Sequence, residues 1–269
     1  MFTFIRSLTA CRPLRFLCLF AVLFAPMSRV SADAAPKVVL KLDDMMRKSG
    51  GVPVEWSRVH AFLKERGLPM SVGIIGKSLD GDAPEYFETL KAWAASGGVE
   101  LWNHGYDHRQ WVQGDVRLRE FSGSGREHQA GHLEKTQRLG EEKLGVRFVS
   151  FGAGFNSTDE DTVAVLAECD DIRVWLYGRR EQPAGKAVLA RNYKINLEHQ
   201  TGRLDLELFK QAYLSNPTGE LLVLQGHPMM WDDAEFAVFT RIVDFLLAQG
   251  ATFALPRDWV EATAGEGGR

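Results

Sequence analysis

Three features of the 269-residue sequence predict an α/β fold, either a β/α barrel or an open doubly wound sheet. Short apolar runs alternate with amphipathic stretches from Lys37 onward. Most of those runs are continuously apolar, as parallel strands covered on both faces require. No Pro/Ser-rich linker or internal repeat interrupts them, so the alternation reads as one domain. Hydrophobic residues make up 45% and charged residues 25% of the chain, ordinary globular values that exclude a disordered or low-complexity protein.

The expected strands are Val38–Leu42, Met70–Ile75, Val99–Asn103, Phe148–Phe151, Val174–Leu176, Leu221–Gln225 and Thr252–Ala254, with Val188–Leu189 and Tyr193–Leu197 as weaker candidates. Between them, Pro53–Arg66 carries Trp56, Val59 and Leu63 on one helical face and stops at Gly67. Pro84–Ala95 stops at Gly97-Gly98, and Arg126–Leu144 at Gly145. Ser157-Thr158-Asp159-Glu160 has the spacing of a capping box that would start a helix at Ser157. Asp232 and Glu235 repeat the device ahead of Phe236–Gln249.

The N-terminus reads differently. Arg6, Arg12 and Arg15 precede an apolar run, Phe16–Pro26, and Val30-Ser31-Ala32 offers a small-residue cleavage site. This is a signal-peptide pattern over residues 1–32, and it places the remaining 33–269 in the periplasm or outside the cell. The run falls short of the about 20 residues a membrane span needs. Removing it leaves 28 basic against 35 acidic residues, net −7. A net acidic surface disfavours nucleic acid as a partner. Cys169 is then the single cysteine, read as apolar filler, so core packing alone must hold the fold.

In β/α architectures, functional groups collect where strands end. Asp43-Asp44 follows the first strand, and adjacent carboxylates there become tolerable when a cation neutralises one of them. His104 and His108 follow the third expected strand, four residues apart, and both can reach one metal. His227, between Gly226 and Pro228 after Leu221–Gln225, is a candidate general acid on a fixed loop. His128 and His132 share the four-residue spacing but lie within a helical pattern, which favours a packed face. His60 and His199 read as a helix face and a loop. An Asp/His/His set with open positions suits zinc or another divalent transition metal.

This set of motifs resembles the polysaccharide deacetylases of the NodB-homology type, carbohydrate esterase family four. Lys41-Leu42-Asp43-Asp44 resembles the family's T-F-D-D, His104-Gly105-Tyr106-Asp107-His108 its H-S/T-x-x-H, and Leu224-Gln225-Gly226-His227 its L-x-x-H. The resemblance implies a distorted (β/α)7 barrel and a metal-dependent hydrolase that removes N-acetyl groups from an envelope or extracellular glycan. It assigns Asp43 as general base, Asp44, His104 and His108 as ligands of a divalent metal, zinc foremost, and His227 as general acid. Two alternatives stand beside it: a catalytically weak carbohydrate-binding or assembly protein that keeps the metal, and hydrolysis of another non-peptide C–N bond.

The departures are local. The third motif, R-x-P-Y/F, is matched only by Ser150–Asn156, with neither arginine nor proline. Arg173 is the substitute expected from the neighbouring strand, and Asp171 and Trp175 are the match for the family's D-plus-W fourth motif. Asn156 and Phe155 are candidates at the substrate end. Gly105 lacks the usual hydroxyl. Trp102, Tyr106, Trp111 and above all Trp231 are candidates to stack on sugar faces.

Overall fold

A computed structural model describes residue 1 and residues 35–266. Apart from Met1, the export segment read over residues 1–32 lies outside them. No described helix is long and apolar enough to cross a membrane.

The main sheet is parallel throughout and contains eight strands: β1 (Lys37–Met45), β2 (Met70–Ile74), β3 (Val99–Asn103), β6 (Ser150–Phe151), β7 (Val174–Leu176), β8 (Ala187–Leu189), β9 (Leu221–Gly226) and the two-residue β10 (Thr252–Phe253). Pairing runs β9-β1-β2-β3-β6-β7-β8, with β10 added at the start of β1. Among the described residues β8 and β9 do not pair, so the sheet is a barrel with one open seam. Across that seam Tyr177 Oη, just past β7, donates to the carbonyl of Val223 in β9 at 3.0 Å. This is the distorted barrel the sequence motifs imply.

Side chains from five strands fill the interior: Val39, Trp102, Val174, Leu176, Leu189 and Val223 are all at most 2% exposed. Trp102 fits because β2 offers a glycine beside it; a Cβ on Gly73 would lie 2.4 Å from the indole. Outside the barrel pack α1 (Val54–Glu65), α2 (Pro84–Ala95), α3 (Arg126–Leu144), α4 (Glu160–Glu168), α5 (Leu206–Ser215), α6 (Asp233–Ala248) and α7 (Pro256–Glu266). Every residue of β2 and β3 is buried, and the polar ones are hydrogen-bonded: Ser71 donates to the Leu40 carbonyl, Glu100 accepts from Ser150, and Asn103 donates to the Leu133 carbonyl.

Several elements differ from the sequence expectation. Tyr193–Leu197 is a loop, and the Phe148–Phe151 run contributes only two strand residues. The helix expected from Ser157 starts at Glu160, capped by Asp159, whose carboxylate accepts from Thr162 N while Thr162 Oγ1 accepts from Asp159 N. A carboxylate two residues later wins because it also receives Gly123 N and Gln129 Nε2. Asp232 caps α6 as expected, but Glu235 turns instead to Arg203 and Leu204 N. An exposed antiparallel hairpin, β4 (Gln110–Gln113) and β5 (Val116–Arg119), stands between β3 and α3.

Candidate active site

The C-terminal ends of β1, β3 and β9 bring Asp43, Asp44, His104, His108 and His227 together, and all but the buried His104 line one cleft of about 530 Å³. A larger groove of about 1150 Å³ adjoins it, sharing Asn156 and Arg191 in its wall. Backbone strain gathers here. Asp44 (φ 70°), His108 (51°), Phe155 (58°), Asn156 (50°) and Tyr177 (56°) all occupy the left-handed region. Such residues cost roughly 1–3 kcal/mol each and persist where the surroundings fix them.

One ligand oxygen or nitrogen from each of Asp44, His104 and His108 lies within 4.8 Å of the others. His104 is buried, and its Nδ1–H donates to the Gly152 carbonyl at 2.6 Å. In the neutral ring Nε2 therefore carries a lone pair, and that lone pair faces Asp44 Oδ1 at 3.0 Å. His108 Nε2 approaches the same oxygen at 3.3 Å. Acceptors facing one another at this range call for a cation between them. The 3.0–3.3 Å spacings come close to the roughly 3.4 Å between ligand atoms around a tetrahedral ion with bonds of about 2.1 Å. The residues present fit a divalent metal. Burial pushes the Asp44 carboxyl up, but the imidazoles of His104, His108 and His227 more than offset it and hold the group well below the usual carboxylate range. Burial, with His104 adding to it, pulls His108 below an ordinary histidine, which favours the neutral ring a metal needs.

Asp43 is 2% exposed and asymmetric in its contacts. Its Oδ2 accepts from Lys41 Nζ and from Gln225 Nε2, both at 2.5 Å, whereas the buried Oδ1 has no partner among the described residues. Asn156 belongs to this network: Oδ1 accepts from Lys41 at 3.3 Å, and its amide pairs with that of Gln225. Asn156 is thus committed within the protein, while Phe155 is 39% exposed and packs against His108 at a tilt, 4.2 Å between ring centroids.

His227 is held by a carboxylate that sequence reasoning missed. Glu198 Oε2 accepts from His227 Nδ1 at 2.6 Å and from Gly202 N at 3.0 Å; Oε1 accepts from His227 N at 2.8 Å and Trp231 Nε1 at 2.6 Å. Burial pulls the His227 pKa down, but the bond to Glu198 and the charges of Asp43, Glu198 and Asp44 together outweigh it, and the net direction is upward. Trp231 is 1% exposed, so it anchors Glu198 rather than presenting a face to a sugar. Trp102 is likewise enclosed. Tyr106 donates to Asp80, and Trp111 packs on His128.

The fourth-motif assignments are corrected by position. Asp171 and Arg173 precede β7, at the opposite end of the strand from the cleft. Asp171 accepts from Arg147, and Arg173, 53% exposed, pairs with Glu261. Trp175 is fully buried in the cluster formed with Phe151 and Leu166.

Glu120 is a second residue the sequence did not disclose. It is 1% exposed and gathers the backbone N–H groups of Tyr106, Asp107 and His108, plus His132 Nδ1 at 2.8 Å. It also explains Gly105 (φ 77°): a Cβ there would lie 2.7 Å from the Glu120 carboxylate, which occupies the space the family's hydroxyl residue would use. Asp107, Glu120 and His132 form another group of ligand-type atoms. Glu120 already serves four donors, so this group reads as the brace of the His104–His108 loop. Glu120→Gln turns one acceptor into a donor facing a backbone N–H. The expected result is metal affinity weakened about 10–100-fold, read by titrating metal into the apoprotein.

The fold and this strand-end site define a class, the barrel hydrolases of carbohydrate esterase family four. The family model "Polysaccharide deacetylase" matches residues 31–171, just over half of the sequence, and the chain belongs to that family. No curated protein matches it in sequence. Solved structures share its fold at low identity. A peptidoglycan deacetylase from Bacillus subtilis aligns over 87% of this chain and 95% of its own (14% identity, TM-score 0.58). A family 4 acetyl xylan esterase from Clostridium thermocellum, solved with a cobalt ion, aligns over 82% and 89% (13%, 0.54). A family 4 pseudoenzyme from Bacillus anthracis aligns over 84% and 66% (12%, 0.56).

Proposed function

We propose that this chain is an exported, metal-dependent hydrolase that removes acetyl groups from an N-acetylated envelope or extracellular glycan. The observation that carries the reading is one site holding three converging ligand atoms, a carboxylate oxygen without a partner among the described residues, and an imidazole hydrogen-bonded to its own carboxylate.

Asp44, His104 and His108 hold the ion, with zinc the best suited to an Asp/His/His set. A bound divalent ion supplies Lewis acidity, polarising the acetyl carbonyl and lowering the pKa of water. Asp43 Oδ1, with Oδ2 pinned by two donors, takes the proton from the attacking water. His227, its Nδ1–H given to Glu198, keeps Nε2 for the cleft. Glu198 sustains its protonated form, so it can deliver a proton to the departing amine. Acetate and a free amino sugar result. The adjoining groove gives a polymer room on one side of the centre.

The test is acetate release by the mature protein from an N-acetylglucosamine pentamer and from peptidoglycan glycan strands, with zinc, with cobalt or with a chelator. The expected result is one metal bound per chain, release that the chelator abolishes, and loss of the metal in Asp44→Ala, His104→Ala and His108→Ala. Retained metal in all three variants rejects the ligand set. Metal binding without acetate release from any glycan favours the second reading, a binding protein built on the same barrel.

A further inference from the structure

The family's third motif brings an arginine to the base, and this chain has none at that place. Setting Phe155 on the aromatic residue of R-x-P-Y/F puts Gly152 on the arginine and Gly154 on the proline. Both glycines have close neighbours. A Cβ on Gly154 would lie 2.5 Å from the His108 ring. A Cβ on Gly152 would lie 3.0 Å from Trp102 and 3.2 Å from Lys41 Cε. The space beside Gly152 is therefore occupied by a cationic side chain from another strand.

Lys41 stands two residues before Asp43 in β1, and the pleat puts both side chains on the same face. It is 0% exposed. Its Nζ reaches Asp43 Oδ2 at 2.5 Å and lies 5.1 Å from the ring centroids of both Trp102 and Tyr177. A lysine so enclosed is uncommon unless paired, and its cost is tolerated where the pair fixes a geometry.

We propose that Lys41 is the positioning residue for the base, and that the cation has moved from the third motif to the first, with Gly152 providing the room. Lys41 touches neither the ion nor the substrate. It fixes the Asp43 carboxylate by Oδ2, leaving Oδ1 as the oxygen with no hydrogen-bond partner among the described residues. This inference rests on Asp43 acting as the base of the proposed hydrolysis.

The experiment compares wild-type protein, Lys41→Met, Lys41→Thr and the double variant Lys41→Thr/Gly152→Arg, each assayed for bound metal, thermal unfolding, kcat and KM on the pentamer and the glycan strands. Methionine fills the volume without the charge. Lys41→Met is expected to keep its metal and a KM within about twofold, and to lose about 100-fold in kcat, the scale of a misaligned catalytic group. Threonine with arginine restores the family arrangement, and the double variant is expected to recover at least about tenfold over Lys41→Thr alone. Wild-type kcat in Lys41→Met overturns the inference, as does a folded, metal-bound double variant no faster than Lys41→Thr. Should Lys41→Met fail to fold, the comparison of the threonine pair decides. Acetate-releasing wild type with an inactive Asp43→Asn and a fully active Lys41→Met removes the role of Lys41 and leaves the function standing. Absence of release by wild type removes both.

Discussion

Asp43→Asn is expected to retain its metal and to lose turnover by about 10²–10⁴-fold, the usual contribution of a placed general base. The size follows from which oxygen is lost. Lys41 and Gln225 both donate to Oδ2, so an asparagine must turn its carbonyl toward them and put its NH2 in the place of Oδ1. A donor then stands where Oδ1 offered a lone pair. The candidate ligands Asp44, His104 and His108 are left in place, so the metal stoichiometry should not change. A cost to the fold accompanies the change, because Lys41 keeps a buried charge without its counter-ion. Breaking such a pair costs about 3–5 kcal/mol when the charge persists. Burial already lowers the Lys41 pKa, and loss of the carboxylate lowers it further, so proton release limits the damage at higher pH. Kinetics together with metal analysis check the prediction; wild-type turnover in a metal-loaded Asp43→Asn protein would remove Asp43 as the base.

The strand-end groups were legible in the sequence because a buried parallel strand is a visible apolar run, and the residue after it is then located without any structure. Val38–Leu42, Leu221–Gln225 and Val99–Asn103 lead directly to Asp43, His227 and His104 in this way. What supports those groups was not legible. Glu198 lies on a loop with no periodicity, 29 residues from His227, and nothing in Leu197-Glu198-His199 signals four converging donors. Glu120 ends an exposed hairpin whose polar surface hid its strands, and Lys41 looked like one letter of a motif rather than a contact. The α5 and α7 helices went unread although Asp205 caps α5 and Pro256 opens α7. Asp171 and Arg173 misled because motif matching follows order along the chain. Their place before β7 rather than after it would have excluded them on the same strand-end rule that found the others.

Glu198→Gln should damage catalysis almost as much, by a different route. All four contacts to Glu198 are N–H donors, which only an ionised carboxylate can satisfy at both oxygens. An amide places its NH2 against two of them in either orientation. Unsatisfied buried groups of this kind cost about 1–3 kcal/mol each. The imidazole also loses the acceptor that selects its Nδ1–H tautomer; the same amide-for-carboxylate change in a Ser-His-Asp triad costs on the order of 10⁴ in kcat. The pH dependence separates this from simple loosening. In the folded protein burial lowers the pKa of His227, but the bond to Glu198 and the charges of Asp43, Glu198 and Asp44 together raise it above its ordinary value of 6.5. The stabilisation from that pair is therefore full below the ordinary value and is lost as pH rises through the raised one. A general acid must be protonated, so the alkaline limb of kcat/KM marks the same pKa. Without the carboxylate, burial acts unopposed by that bond, and the limb should move toward lower pH. An unchanged alkaline limb with near wild-type kcat in Glu198→Gln would mean that the proton reaching the leaving amine comes from elsewhere.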